Sequence, residues 1–395
     1  KEIEAARQIV NQARSAFFPR IWAQADYKRN LTDRTQSTAV ASLPGGGPLV
    51  YQDIDMNYDN ELTLGIGVNQ TIFDAGAIAN YRQARGGQAL REQSFEAVKQ
   101  NLRIAAKKLY AQAQFVLTVA EIMEASEQTS AEIYQSIERK YRAGAATELE
   151  LLMAEVSWKT KIPATSDARR NVMVVFNALH NLAGIPLSEE IVLTENISGV
   201  YEVPKFPPLE QILAVRPDYQ VLLLSRELAD INHRAALGSF LPVVSGGFSF
   251  GYAGMGNDSL TGGYDLNTAQ LSLGVTIPLF TGGYRLARVK AARIEQEKAS
   301  LSLVKKRGDI ESALVEIELR ISEAEERIEL ARLVETTARR ALDLARSAYT
   351  NGLATQLADT EAANKLDEAS LGLQSAIFEF RSASYDWELA SGTIR

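Results

Sequence analysis

The chain has 395 residues, a net charge of −7 at pH 7, 46% hydrophobic and 23% charged residues, and no cysteine. The acidic balance argues against a nucleic-acid partner, since phosphate binding needs a basic face, and the missing thiols remove disulfides, thiolate metal sites and cysteine nucleophiles and fit an oxidising compartment. The longest apolar runs are short, as in Val172-Met173-Val174-Val175-Phe176, which excludes a membrane-spanning α-helix but not a membrane β-barrel, whose alternating strands look mild by hydropathy.

The chain opens without a signal peptide, inside a helical pattern that runs to Ala16. Phe18-Pro19 leads into an alternating segment, Arg20 to Tyr27, with Ile21, Ala23, Ala25 and Tyr27 on one face. Gly45-Gly46-Gly47-Pro48 reads as an insertion before a second alternating segment, Glu61 to Phe73, with Leu62, Leu64, Ile66 and Val68 on one face. A helical pattern then runs from Gly76 to Tyr141 and is expected to stop at Gly144, since glycine tolerates positive φ. The return helix that follows contains Pro163, which is expected to kink it. Ser188 to Gly199 and Pro204 to Pro208 read as a connecting segment, and Arg216-Pro217-Asp218 opens a helix ending near Gly238. Two more alternating strands follow, Val243 to Tyr252 and Thr268 to Phe280, with a hairpin tip at Gly254 to Asp258 whose carboxylates are too few for a calcium loop. A second long helix, Gly283 to Tyr349, ends at Gly352, and a second return helix closes the chain.

The chain is therefore an internal duplication. Gly144, Thr147 and Gly184 recur as Gly352, Thr355 and Gly392, each 208 residues later. The second long helix carries a heptad seam, Ile310, Leu314, Ile317, Ile321, Ala324, Ile328 and Ala331, then Ala338, Leu342, Ala345 and Tyr349, broken at Glu335. The same offset gives Leu102, Ala106, Leu109, Ala113, Val116, Ala120 and Met123, then Ser130, Tyr134, Ile137 and Tyr141, broken at Glu127. At about 1.5 Å per residue each long helix is on the order of 100 Å long, far beyond what a globular domain needs. The expected division is 1–187 as the first repeat with a β-hairpin over 20–73, 188–207 as a connecting segment, and 208–395 as the second repeat with a hairpin over 243–280.

Each strand has one apolar face, which suits either a half-buried soluble sheet or a lipid-facing barrel wall. A length of about ten residues suits a tilted bilayer span, and four strands are too few to close a barrel in one chain. An eight-stranded barrel is filled by its own side chains, so a duct needs at least three copies. Phe248, Phe250, Leu271, Leu273 and Val275 are the expected lipid-facing residues.

Catalytic chemistry finds no foothold. His180 and His233 each lie in a helical segment, and no histidine pair, carboxylate pair or Ser/His/Asp set has motif spacing. Gly65-x-Gly67 sits within a strand, and Gly45-Gly46-Gly47 lacks the Lys-Ser/Thr of a phosphate loop. Neither an enzyme activity nor a cofactor is expected. A coiled-coil scaffold or fibre protein is the competing reading, which the amphipathic hairpins oppose.

The pattern resembles the TolC-like outer-membrane efflux proteins. The residues that carry it are Ala16-Phe17-Phe18-Pro19 and Ser239-Phe240-Leu241-Pro242 at helix-to-strand junctions, Gln70 to Gly76, Val275 to Gly283, and the Tyr-x-x-Gly turns at Tyr141 and Tyr349. The resemblance implies a homotrimer in the outer membrane. In it a twelve-stranded β-barrel sits on a twelve-helix periplasmic tunnel that works with an inner-membrane pump and a periplasmic adaptor in efflux or type I secretion. It also implies that the helix before Ala16 is longer, matching Pro208 to Ser239, and that the sequence is trimmed at both ends. In the family the adaptor docks at the helical turns, so Gly144, Ala145, Gly352 and Leu353 are the expected contact rim at the far end of the tunnel. Acidic residues just past those turns ring the family's constriction, so Glu150, Asp359 and Glu361 are the expected periplasmic gate. Asp359 falls one residue beyond a family acidic position held here by Ala358. Three copies of each carboxylate around one axis repel at short range and need countercharge, bound cations or raised pKa values.

Overall fold

The computed structural model describes residues 1–32, 35–42, 49–55, 58–194, 206–259 and 264–392. In chain order the elements are α1 (Glu2–Ser15), β1 (Arg20–Arg29), β2 (Thr35–Ser42), β3 (Leu49–Asp55), β4 (Asn60–Phe73), α2 (Ala75–Arg142), α3 (Glu148–Ala183), α4 (Leu209–Val215), α5 (Pro217–Gly238), β5 (Val243–Gly256), β6 (Tyr264–Thr276), α6 (Tyr284–Thr350) and α7 (Gln356–Ser391). The duplication is visible in the lengths: α2 and α6 have 68 and 67 residues, and α3 and α7 have 36 each. The glycines that stop these helices adopt matching left-handed conformations, with φ of 71° and 73° at Gly144 and Gly352, and 67° and 69° at Gly184 and Gly392. The α3 helix continues through Pro163. The inter-repeat segment falls mostly on residues 195–205, outside the described residues. The chain folds as two compact units that cut across the repeats, one of residues 1–92 and 222–302, the other of residues 93–221 and 303–395.

The first unit holds an antiparallel sheet of order β1-β4-β5-β6. Its register aligns the four apolar alternations. Ile21 pairs with Val68, Val68 with Phe248, and Phe248 with Leu271; one step along, Ala23, Ile66, Phe250 and Ala269 line up the same way. Paired residues share a face, so the middle of one side of the sheet is an apolar band, with Gln70 below it and Asn267 and Asp265 above it on the same face. On the other side Trp22 lies across β4, where a Cβ at Gly67 would come within 2.7 Å of the indole. Glycine at 67 is thus what lets the ring lie flat against the strand.

Two strand expectations are corrected. The last strand ends at Thr276, not Phe280: Thr276 pairs with Val243, Pro242 precedes that partner, and Pro278 lacks the N–H a ladder needs. The insertion is also more than a loop. Its flanks pair as β2 and β3 in a separate two-stranded sheet, while Gly45 to Pro48 lie outside the described residues. In the same unit α5 packs on α2 and α6, with Leu228 filling the space above Gly86, Gln83 bonded to Asn232, and the Gln296 amide donating to Asp230 at 3.0 Å.

The second unit is built from α2, α3, α6 and α7 with α4 at one end. Its apolar cluster joins Ile317, Ile321, Ala324 and Ile328 of α6 to Ala376, Phe380, Ala383 and Trp387 of α7 and Ile212 of α4. Each buried large aliphatic side chain contributes about 1.5–3 kcal/mol. The α6 members of the cluster are the predicted seam. On α2 the seam residues Ala113, Ala120, Ser130 and Ile137 are buried, whereas Leu102 is exposed where its counterpart Ile310 is buried. A second face of α2, with Ile104, Ala111, Gln114 and Ser126, is buried as well, because α2 lies between α3 and α7. Arg169 of α3 reaches Glu124 at 2.6 Å on one side, and Phe115 stacks on Phe378 of α7 at 5.0 Å on the other.

Candidate functional site

The turns at Gly144 and Gly352 are built alike. In each, a glycine with positive φ ends a long helix and a threonine caps the next: Thr147 Oγ1 accepts from the Glu150 amide at 3.2 Å, and Thr355 Oγ1 from the Ala358 amide at 3.4 Å. A Cβ on Gly144 or Gly352 would meet nothing within 4 Å. Glycine is needed there for its backbone conformation, since no neighbour crowds it. Ala145 is exposed and Leu353 is 84% exposed, a large apolar side chain in open solvent at the tip of a turn.

The three expected gate carboxylates have three different environments. Glu150 closes a capping box, accepting from the Thr147 amide at 2.8 Å and the Thr147 hydroxyl at 3.0 Å. The bond from that backbone amide, with the threonine hydroxyl, holds its carboxyl below the usual range. Asp359 is buried, with Arg346 Nε of α6 at 3.7 Å from its Oδ1 and no hydrogen bond to that oxygen. Glu361 is exposed. Glu150 lines a groove of about 700 Å³ between the first turns of α3 and α7, walled by Leu149, Leu152, Met153, Val156 and Leu357, whereas Asp359 turns towards α6. Within one chain the three carboxylates do not converge.

The sheet does gather its candidates. Phe248, Phe250, Leu271, Leu273 and Val275 share one face, and all are exposed in the single chain, Leu271 at 84% and Leu273 at 73%. An apolar face of this extent marks a surface made to be covered. No helix among the described residues is long and apolar enough to cross a membrane.

Two polar clusters were not singled out from the sequence. Lys161 of α3 meets Asp367 of α7 at 2.9 Å, and Ser126 of α2 bonds to both, so one cluster ties three helices together. Asp218 takes a bidentate pair from Arg216, at 2.9 and 2.7 Å, and Lys306 at 2.9 Å; Arg216 also donates to the Ala390 carbonyl at 2.7 Å. Burial alone would raise the Asp218 pKa; the bonds from Arg216 and Lys306 outweigh it and hold the carboxyl well below the usual carboxylate range. The Arg-Pro-Asp triplet was legible as a helix start, but its partners Lys306 and Ala390 are remote in sequence.

Known proteins match this arrangement. The model of the family described as "Outer membrane efflux protein" matches residues 1–185 and 209–376. The chain is 23% identical to the alkaline protease secretion protein AprF of Pseudomonas aeruginosa, over all of this chain and 79% of that protein. It is 20% identical to the outer membrane protein TolC of Vibrio cholerae, over 99% and 86%. Among solved structures, the CmeC outer membrane channel of Campylobacter jejuni superposes with a TM-score of 0.81 at 19% identity, covering 99% of this chain and 81% of that one. The open state of the MtrE outer membrane channel of Neisseria gonorrhoeae gives 0.80 at 18% identity, covering 99% and 84%. The chain therefore belongs to the outer membrane efflux protein family: it is an outer-membrane channel protein of mixed α and β fold with a periplasmic tunnel, and it is not an enzyme.

Proposed function

We propose that this channel is the passive exit duct of a tripartite efflux or type I secretion system, joined to an inner-membrane pump through a periplasmic adaptor and gated at its periplasmic tip. The sheet supports the duct: the outer edges of β1 and β6 have no strand partner among the described residues, and copies side by side would pair them and leave no edge. Its apolar face, with Phe248, Phe250, Leu271, Leu273 and Val275, would then meet outer-membrane lipid and leave the polar face to the lumen. The observation that carries the adaptor reading is the pair of like-built, unencumbered turns, with Gly144, Ala145, Gly352 and Leu353 as the rim. For the gate, Glu361 is the carboxylate open to solvent, repeated three times around the axis. Glu150 doubles as a helix cap, and Asp359 is buried near Arg346.

The adaptor reading is tested at Ala145 and Leu353, since bulky side chains at the glycines would strain the turns themselves. Ala145→Asp with Leu353→Asp should abolish export while trimers remain in the outer membrane at normal levels. Normal export by this double variant rejects the rim as the docking surface.

A further inference from the structure

The polar face of the four-stranded sheet is unlike its apolar face at the end nearer the helices. There the register stacks four rungs: Thr71 with Ser245 and Gly274; Arg20 with Asn69, Gly247 and Ser272; Trp22 with Gly67, Ser249 and Gln270; Gln24 with Gly65, Gly251 and Thr268. Glycine, serine, threonine and amides make up nearly all of it. Trp22 is the one large apolar side chain on these rungs, and Arg20 the one charged side chain.

These two side chains are neighbours on β1. Two residues apart on one face, their Cα atoms are roughly 6.6 Å apart. A Cβ at Gly67 would come within 2.7 Å of the indole and one at Gly65 within 3.2 Å, so the ring lies across both glycines and turns its other face away from the strand, with 36% of the residue exposed. Arg20 borders a cavity of about 590 Å³ together with Asn69, Thr71, Ser245 and Ser272, over Gly247 and Gly274. The Arg20 side chain makes no ion pair or hydrogen bond among the described residues. Asp74 borders the same cavity, but its carboxylate accepts from the Gly76 amide at 2.7 Å. Asp26, the next acid along β1, lies beyond Gln24 and accepts from the Gln24 amide.

We propose that Trp22 and Arg20 form a subsite for a small aromatic carboxylate, its ring stacked on the open face of the indole and its carboxylate held by the guanidinium. The chemistry selects this class. An aromatic ring gains from an offset stack on another ring, and a planar guanidinium takes a carboxylate through two parallel hydrogen bonds. An aromatic cation would meet the charge of Arg20, and an aliphatic acid would leave the indole uncovered. The hydroxyls of Thr71, Ser245 and Ser272 line the space into which substituents on the ring would extend. The inference rests on the reading that this face lines the lumen, and it adds a class of cargo to that reading. Weak binding suits a duct, because a solute must leave as readily as it enters.

The test uses the whole channel with 4-nitrobenzoate as probe, since a nitroaromatic ring quenches tryptophan emission on contact. The chain has three tryptophans, and Trp158 and Trp387 belong to the second unit, so quenching at Trp22 reports the subsite. In detergent the quenching should saturate, and Trp22→Phe should remove the saturable part. Arg20→Gln should raise the half-saturating concentration about three- to fivefold, the scale of an exposed charge pair, and Arg20→Lys should recover part of the loss. Uncharged 4-nitrobenzamide should need the higher concentration in the parent and in Arg20→Gln alike. Arg20 is exposed, so this variant reads the subsite even where Trp22→Phe fails to fold. Equal quenching of the parent by acid and amide, or an unchanged midpoint in Arg20→Gln, overturns the subsite. In planar bilayers 4-nitrobenzoate should reduce the open-channel current of the parent over the range that saturates quenching, and reduce that of Arg20→Gln less. Saturable quenching with an unaltered current overturns the placement of this face in the lumen. A reduced current without saturable quenching overturns the subsite and leaves the lumen reading standing.

Discussion

Asp218 offers the sharpest quantitative test of the second unit. Its carboxylate joins the start of α5 to Lys306 of α6, and Arg216 carries the link on to the last turn of α7 through the Ala390 carbonyl. Asp218→Ala removes the bidentate acceptor from a guanidinium whose side chain is only 13% exposed. Breaking a fully buried pair costs about 3–5 kcal/mol. Asp218 and Lys306 are a third exposed, and solvent screening lowers such values, so about 2–3 kcal/mol is expected here. Asp218→Asn keeps hydrogen-bonding oxygen but no charge, and should fall between the variant and the parent. The pH dependence is distinctive. The folded pKa lies below the ordinary 3.8, so the stabilisation is fully present above that value and is lost as pH falls towards the folded pKa. Denaturant unfolding of the detergent-solubilised channel should therefore show a constant gap between parent and Asp218→Asn from pH 7 to pH 5, narrowing below about pH 4. Amide exchange in the last turn of α7 should quicken in Asp218→Ala. An unchanged midpoint together with unchanged exchange at Ala390 and its neighbours would refute the reasoning.

Three further outcomes follow from the geometry. Leu271→Arg, on the apolar face, should cost about 2–4 kcal/mol of barrel stability if it lies near the bilayer midplane, while Gln270→Arg on the opposite face is tolerated; heat-modified mobility of the trimer in gels separates the two, and equal effects would reject the assignment of faces. Lys161→Met and Asp367→Asn should each destabilise the second unit but add up to less when combined, with a coupling of about 1–2 kcal/mol in an unfolding cycle; strict additivity would show that their 2.9 Å contact carries no energy. Glu361→Gln should lower cation selectivity and divalent block in single-channel recordings more than Glu150→Gln or Asp359→Asn, because Glu361 is the exposed member of the three; equal effects would reject Glu361 as the leading member, and absent effects would remove the carboxylates from the gate.

Periodicity and punctuation made most of the architecture readable from the chain. A 3.5-residue repeat can only be buried by a helix, a two-residue repeat only by a strand, and glycine is the residue that reverses a helix through positive φ. These rules placed α2 and α6 to within a residue of each end and found the stops at Gly144 and Gly352. They also identified the apolar faces of β1, β4, β5 and β6, whose pairing only the fold supplies. The duplication was legible because one local pattern is written twice, while the outer-membrane channel family was legible through a resemblance carried by the helix-to-strand junctions at Pro19 and Pro242 and the Tyr-x-x-Gly turns. What the sequence could not carry was anything that depends on one side chain finding another across the fold. The end of β6 at Thr276 was set by where its partner β5 begins, and β2 and β3 owe their existence to each other. Glu150, Asp359 and Glu361 look alike in the sequence, yet the fold makes one a cap, buries one beside Arg346 and leaves one in solvent. Spacing along the chain determines which faces a helix presents, but only tertiary packing decides which of those faces is met within the chain and which is left for another copy.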